Sequence, residues 1–439
     1  MKKTPQIVII GAGITGLVTA LRLSKAGFNV IILESSSEVG GLLGTYKTPN
    51  YEIERFYHHI LPYDKELIDL IKELGLSDDL IQMPASVGNL IGGRIYPLNN
   101  PLEVMRYPYL SFQDKCRLFF LTQKVKSMSD TKILDKLTAQ EWLIGIVGQS
   151  AYQSFFHPLL LSKFGENFED ISAAWISERI KIRSDRSFFT GEKLSYLKRG
   201  FGIFLERILQ KLEENKVQIF RNSPVIEICS ENGRVVGVKT DQLYLADHVV
   251  STLPSKILIK IGKNILPTDA VNKLALIDYQ HSMCLLLSLK KSINKNYWVN
   301  ITEKNIPFRV LIEHTNFYRR PYGDEHLVYL ATYFKDNETQ YFEYNDSGIF
   351  NLWFSELKSL FNVSENDLNG WKLSCGMNSS PIYKTGYLDN ISFDPHMVAG
   401  LSMSGMMFHY PERSLNEAVK QANKLSCHII KNGQFFTVD

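Results

Sequence analysis

The chain has 439 residues, 44% hydrophobic and 22% charged, the balance of a globular protein with room for two or three packed modules. A formal charge of +3, with no basic run interleaved with aromatics in a known module, argues against a nucleic-acid partner. Five scattered cysteines without a CxxC offer no disulfide framework and fit a reducing compartment, and no His, Cys and acid spacing marks a metal site.

Residues 7–10 form a short apolar run ending at Gly11, the pattern of a strand buried on both faces of a parallel sheet. Gly11 permits a tight strand-to-helix reversal, Gly13 leaves the backbone bare for a pyrophosphate, and Gly16 lets the helix pack closely on the strand. Ile14 and Thr15 open that helix, whose N-terminal N–H groups and dipole favour phosphate. Gly27 ends it, and residues 30–33 make a second strand closed by Glu34 and Ser35. Glu34 lies eighteen residues past Gly16, where an acid accepts hydrogen bonds from a ribose diol and repels a 2′-phosphate, which disfavours NADP. The doublet Gly40-Gly41 follows. No ordinary NAD dehydrogenase needs it, and the run ending E-x5-GG resembles the FAD-binding signature of the amine oxidase, protoporphyrinogen oxidase and phytoene desaturase superfamily. The resemblance places Gly40, Gly41 and Leu42 against the ribityl-phosphate side of FAD.

Residues 44–61 alternate around a Pro49-Asn50 turn and read as a hairpin beside the flavin. Tyr57, His58 and His59 follow it and are the candidates for catalysis. Consecutive strand residues face opposite ways, so at most one of the two histidines faces substrate if the strand persists. A buried or loop histidine bonded to backbone is the alternative reading. Residues 66–74 form an amphipathic helix stopped by Gly75.

A helical, aromatic-rich stretch from about 101 to 190 reads as a substrate region. Within it, residues 105–126 mix aromatics with Arg106, Lys115, Arg117, Lys124 and Lys126, either a surface for an anionic membrane or a helical core with a solvated face. Lys163, Arg179 and Arg183 offer cations to a substrate phosphate or carboxylate, or are solvated helix charges. His157, in apolar surroundings, reads as structural.

From residue 196 the nucleotide fold resumes, with a helix after Gly202 and strands joined by an Asn232-Gly233 turn. The superfamily resemblance puts a backbone contact to adenine at Val225, on the strand in SPVIEI. Strands around HSMCLLLSL, FRVLIEH and HLVYLATYF would floor a substrate pocket. At the C-terminus, Ser404-Gly405 and YPERSLNEAV resemble the superfamily's closing flavin motif, whose helix points its N-terminus at the pyrimidine ring. Pro411 suits the first turn of that helix. Arg413 and Asn416 are expected to approach the cofactor, with His409 and Tyr410 as wall residues.

These features imply an α/β fold, a Rossmann-like, GR2-type FAD-binding domain with an inserted α+β substrate domain containing a mixed sheet and a helical subdomain. The divisions are FAD-binding segments 1–95, 196–255 and 386–439, a helical region 96–195 and a substrate sheet 256–385. The expected activity is FAD-dependent removal of a hydride to flavin N5 from a bulky, hydrophobic or lipid-linked small molecule by a dehydrogenase, oxidase or desaturase. The alternative is a non-redox flavoenzyme resembling UDP-galactopyranose mutase and acting on a nucleotide sugar. Lys2 and Lys3 precede an apolar run broken by glycines, so it does not read as a signal peptide, and no run of about 18 to 20 apolar residues spans a bilayer. A cytoplasmic protein, at most peripheral to the inner face of the membrane, is expected.

Overall fold

β1 (Gln6–Ile10) sits at the centre of a five-stranded parallel sheet. On one side lie β2 (Asn29–Leu33) and Gln218–Phe220, on the other His248–Ser251 and Leu401–Met403. The computed structural model describes residues 4–432 except 129, 131, 185–190, 304 and 339, so Lys2 and Lys3 fall outside it. The apolar runs of β1 and β2 are continuous because both faces of this sheet are covered. Ile7, Ile9, Val30 and Ile32 pack with Leu17 and Leu21 of α1 (Ile14–Lys25), with Ile208 of helix Gly202–Glu214 and with Val419 of the C-terminal helix Leu415–Asn432. Their neighbours Val8, Ile10, Ile31 and Leu33 pack on the opposite face, over the antiparallel ribbon of Glu227–Glu231, Arg234–Lys239 and Leu243–Leu245. In that ribbon Asn232 (φ 48°) and Gly233 (φ 76°) hold the turn, as the Asn-Gly pair leads one to expect.

The second sheet is mixed and has seven strands. Their order is Leu368–Pro381, Tyr279–Leu289, His326–Phe334, Val310–Glu313, Trp298–Ile301, Val87–Ile91 and Arg94–Pro97, and only Trp298–Ile301 with Val87–Ile91 run parallel. Two of these strands come from near residue 90, so the chain has crossed to the second sheet before the segment 1–95 ends. One face carries its own apolar core with helix Asp346–Leu360, where Trp353 is fully buried. The strand Leu368–Pro381 is not among the strands expected above: Trp371, Leu373, Cys375 and Met377 alternate with Lys372, Ser374 and Gly376 over a short stretch only, and pairing along most of Tyr279–Leu289 holds the rest extended.

The helical region begins with Pro101–Met105, followed by Phe112–Ser127, Ala139–Ala151, His157–Phe164 and Ala173–Ser184. Ser111 and Thr138 cap the second and third of these in reciprocal capping boxes with Asp114 and Glu141. The hairpin Thr45–Lys47/Glu52–Glu54 forms as expected, yet regular pairing stops at Glu54, so Tyr57, His58 and His59 lie on irregular backbone. The architecture is α/β.

Candidate functional site

The crossing from β1 to α1 is a backbone surface. A Cβ added to Gly16 would lie 2.0 Å from the Gly11 carbonyl oxygen, so glycine is required for this helix to sit on its strand. Gly13, by contrast, faces open space with no atom within 4 Å of such a Cβ. No side chain caps α1 and its first turn holds no acid, so its N–H groups remain available to an anion. Ile14 and Thr15 are buried at this end, which leaves their backbone as the part a ligand can reach. Gly40 (φ 102°) bridges to Gly13 and donates its N–H to Ala12 O at 2.8 Å, and Gly41 (φ 57°) stands against Gly13. Leu42 packs under Gly376 of the seven-stranded sheet.

Glu34 is held in place before any ligand arrives. Its Oε2 accepts from the Ala12 N–H at 2.7 Å, and its Oε1 from the Ser36 N–H at 2.9 Å and the Ser35 hydroxyl at 3.2 Å. A carboxylate has about four lone-pair directions, so acceptor capacity remains for a ribose diol. The Ser223 N–H donates to the Glu34 carbonyl at 2.8 Å, which brings the Val225 segment beside this acid. Val225 itself lies on irregular chain two residues before the strand Glu227–Glu231, not within a strand as its pattern suggests.

The C-terminal motif closes the other side. Gly405 has φ 108°, and a Cβ there would stand 2.7 Å from the Thr252 carbonyl. The helix starts at Leu415, with the Ser414 hydroxyl accepting from the Glu417 N–H at 3.1 Å; Pro411 therefore precedes the helix instead of opening its first turn. Arg413 donates to the Ser379 carbonyl, and the Asn416 amide oxygen accepts from the Leu67 N–H at 3.1 Å. Asn416 thus ties the helix Lys65–Glu73 to this motif and keeps only its Nδ2 for a cofactor. The Ser404 hydroxyl and both His409 ring nitrogens are buried without a hydrogen-bond partner among the described residues. The glycine cradle, the uncapped helix end, the oriented acid and these unpaired polar atoms fit FAD.

Between the motifs and the seven-stranded sheet lies a cluster of side chains from four parts of the chain. The Tyr57 and Tyr333 hydroxyls are 3.3 Å apart, and the Tyr57 ring meets Trp298 edge-on at 5.1 Å. The Lys163 ammonium sits 4.3 Å above the Tyr333 ring centre. Arg179 binds Glu412 at 2.7 Å, joining the helical region to the C-terminal motif. Burial alone would push the Tyr333 phenol up, but Lys163, Arg413, the Tyr57 hydroxyl and Arg179 together bring it down to about 7. Burial, with Arg179 and Arg413 nearby, lowers Lys163 to about 8, against the opposing pull of Tyr333 and Glu412. Tyr57 is pushed well up by burial and by Tyr333. Tyr333 sits in HLVYLATYF, which reads as an ordinary strand, and sequence reasoning misses it.

His58 and His59 diverge despite the irregular backbone. His58 Nδ1 lies 2.6 Å from the Phe56 carbonyl with its ring toward Phe201, whereas His59 Nδ1 lies 3.3 Å from the Tyr297 hydroxyl among Tyr297 and Trp298. Burial lowers both to about 4. Of the remaining candidates, Arg183 lies over Trp298 at 5.8 Å and His157 packs edge-on against Phe168. The Tyr410 hydroxyl meets Ser172 at 2.8 Å. Among the described residues no group of His, Cys, Asp or Glu is arranged to hold a metal, and no helix is long and apolar enough to cross a membrane.

The chain is 26% identical over 289 residues to the flavin-containing amine oxidase B of Sus scrofa, an alignment covering 60% of this chain and 52% of the relative. It spans about half the length of the curated amine oxidases it matches. The fold superposes on a protein assigned as a protoporphyrinogen oxidase from Exiguobacterium sp. 255-15 with a TM-score of 0.79 at 18% identity, over 98% of this chain and 100% of that one. A reduced UDP-galactopyranose mutase gives 0.75 at 18% identity, over 98% and 96%. These two likenesses describe the fold alone. The family model for flavin-containing amine oxidoreductases matches residues 14–430, a span that takes in Gly16, Glu34, Gly40-Gly41 and the C-terminal motif. The chain therefore belongs to the flavin-containing amine oxidoreductase family, and its cofactor is FAD.

Proposed function

We propose that the chain is an FAD-dependent oxidoreductase of the dehydrogenase, oxidase or desaturase type, acting on a C–H bond of a bulky small molecule. The carrying observation is the convergence of the 40–42 segment, the C-terminal motif and the face of the seven-stranded sheet on the half-buried Tyr57 and Tyr333 hydroxyls. Bound FAD supplies the two-electron acceptor. The glycine cradle, the α1 terminus and Glu34 would hold the dinucleotide; Leu42 and Arg413 would position the flavin end. Tyr57 and Tyr333 would orient the substrate, with Tyr333 the group best placed to take a proton near neutral pH. His58 and His59, held neutral by burial, serve as hydrogen-bonding walls.

The test is anaerobic mixing of the oxidised holoprotein with candidate substrates. Bleaching of the absorbance band near ~450 nm in step with product formation is expected. A second reading, isomerisation of a nucleotide sugar in the manner of UDP-galactopyranose mutase, draws on the surplus of cations in the cluster. Product formed only after dithionite reduction, with no bleaching by substrate, would favour it.

We propose further that the helix Phe112–Ser127 rests on an anionic membrane. Phe112, Phe119 and Phe120, spaced seven and eight residues apart on one face, are 71%, 61% and 67% exposed. Lys115, Lys124 and Lys126 border that stripe. Co-sedimentation with phosphatidylserine vesicles, absent with phosphatidylcholine and lost in Phe119→Ser/Phe120→Ser, is the expected outcome; equal pelleting with both lipids would refute it.

A further inference from the structure

Three cationic side chains from three separate elements meet around the two phenols. Lys163 comes from helix His157–Phe164, Arg179 from helix Ala173–Ser184 and Arg413 from the C-terminal motif. All three act on Tyr333, and Lys163 also feels both arginines. Their anionic company is thin. Among the described residues Glu412 is the one carboxylate that acts on Lys163, and it is bound to Arg179.

The other two cations are differently placed. Arg413 has a neutral partner, the Ser379 carbonyl. The Lys163 ammonium donates no hydrogen bond among the described residues; its neighbours are the faces of Phe164, Trp175 and Tyr333, at 5.7, 5.7 and 4.3 Å from the ring centres. Aromatic faces attract a cation, but they accept none of the three N–H bonds an ammonium offers. Lys163 is half-buried and its ammonium keeps some accessible surface, so an anion that enters can accept the N–H bonds the ring faces leave unmade.

We infer that this cluster binds an oxyanion carried by the substrate, a carboxylate or a phosphate, with Lys163 and Arg413 as its charge partners and the Tyr57 hydroxyl as its donor. The inference deepens the oxidoreductase reading and rests on it for the site's location. It also sets a direction opposite to amine oxidation, because a protonated amine entering here would meet like charge from at least two sides. Arg179, already engaged by Glu412, would contribute by fixing the wall from which Lys163 reaches inward.

The test uses FAD-loaded protein, so that the α1 phosphate site is filled, with calorimetric titration of benzoate, phenyl phosphate and benzylamine. Benzoate or phenyl phosphate should bind, the tighter of the two naming the group, and benzylamine should bind at least tenfold more weakly. Lys163→Gln should weaken the preferred anion tenfold or more, with the flavin spectrum and melting temperature unchanged, and Lys163→Arg should restore it to within about threefold. Benzylamine binding tighter than both anions, or anion binding indifferent to both Lys163→Gln and Arg413→Gln, would overturn the inference. The two readings fail separately. Lys163-dependent anion binding with no substrate able to bleach the flavin leaves this site standing and removes the oxidoreductase reading. Bleaching by an amine alone, with neither anion bound, does the reverse.

Discussion

The glycine crossing and the tyrosine cluster are built on opposite plans. At the crossing the ligand surface is backbone, made by leaving side chains out: Gly13 faces open space, Gly16 admits no Cβ, and Glu34 is the one side chain held in place by local N–H groups. At the cluster the surface is side chains crowded in from residues 57, 163, 179, 333 and 413, with charge and burial in opposition. A backbone site tolerates almost no change in shape, because nothing in it can swing aside. A side-chain site absorbs change in shape and is sensitive to charge.

Substitutions should divide along that line. Gly16→Ala puts a methyl group 2.0 Å from a carbonyl oxygen in a fixed turn; we expect a loss of about 3 kcal/mol or failure to retain flavin, read as melting temperature and absorbance of the purified protein. Glu34→Ala removes the acceptor for the Ala12 N–H as well as the expected ribose contact. FAD affinity should fall on the order of 10- to 100-fold in titrations of apoprotein, equivalent to a charged hydrogen bond of about 1.5–3 kcal/mol.

Two milder tests use pH. His58 and His59 are lowered to about 4, and His314 and His409 to about 3, chiefly by burial, so the unfolded chain binds more protons than the folded one below its own histidine range. Stability should therefore be complete above about pH 6.5 and decline as the pH falls toward 4, in urea melts of wild type; a flat profile across that window would mean that these rings are not held neutral. On the alkaline side Lys163 sheds its proton through about pH 8, so anion affinity should weaken as pH rises through that value, and in Lys163→Arg this limb should shrink to the part that Tyr333, at about 7, contributes. The cradle is backbone and lies apart from Lys163, and retention of FAD should not follow the same curve.

The same contrast explains which parts of the molecule are legible in the amino-acid sequence. The crossing is legible because its jobs fall to glycines and one acid at short, fixed spacings, and the E-x5-GG run extends the pattern to Gly40-Gly41. Val225 is legible as a segment but not as a strand residue, since pairing begins only at Glu227. Tyr57 can be named because it follows a hairpin, whereas Tyr333 lies in an apolar strand with no local sign of what faces it. Lys163 and Arg179 are visible as cations and not as partners of Tyr333 and Glu412, because their convergence depends on how the helical region docks. Pro411 misleads in the other direction: it suits a first helical turn, but Ser414 supplies the cap and moves the start to Leu415.

The order of the five-stranded sheet has a consequence for synthesis. β1 leaves the ribosome ahead of all its partners, yet its neighbour on one side is His248–Ser251, and that strand in turn waits for Leu401–Met403. The half of the cofactor site built by Gly405 and Arg413 therefore arrives last, after every other strand of both sheets has been made. Until then the nucleotide end of FAD has its cradle while the flavin end has only one wall. Cofactor retention should be a late event in the life of the nascent chain, and stalled chains ending before residue 401 should bind FAD in rapid exchange and hold none through purification.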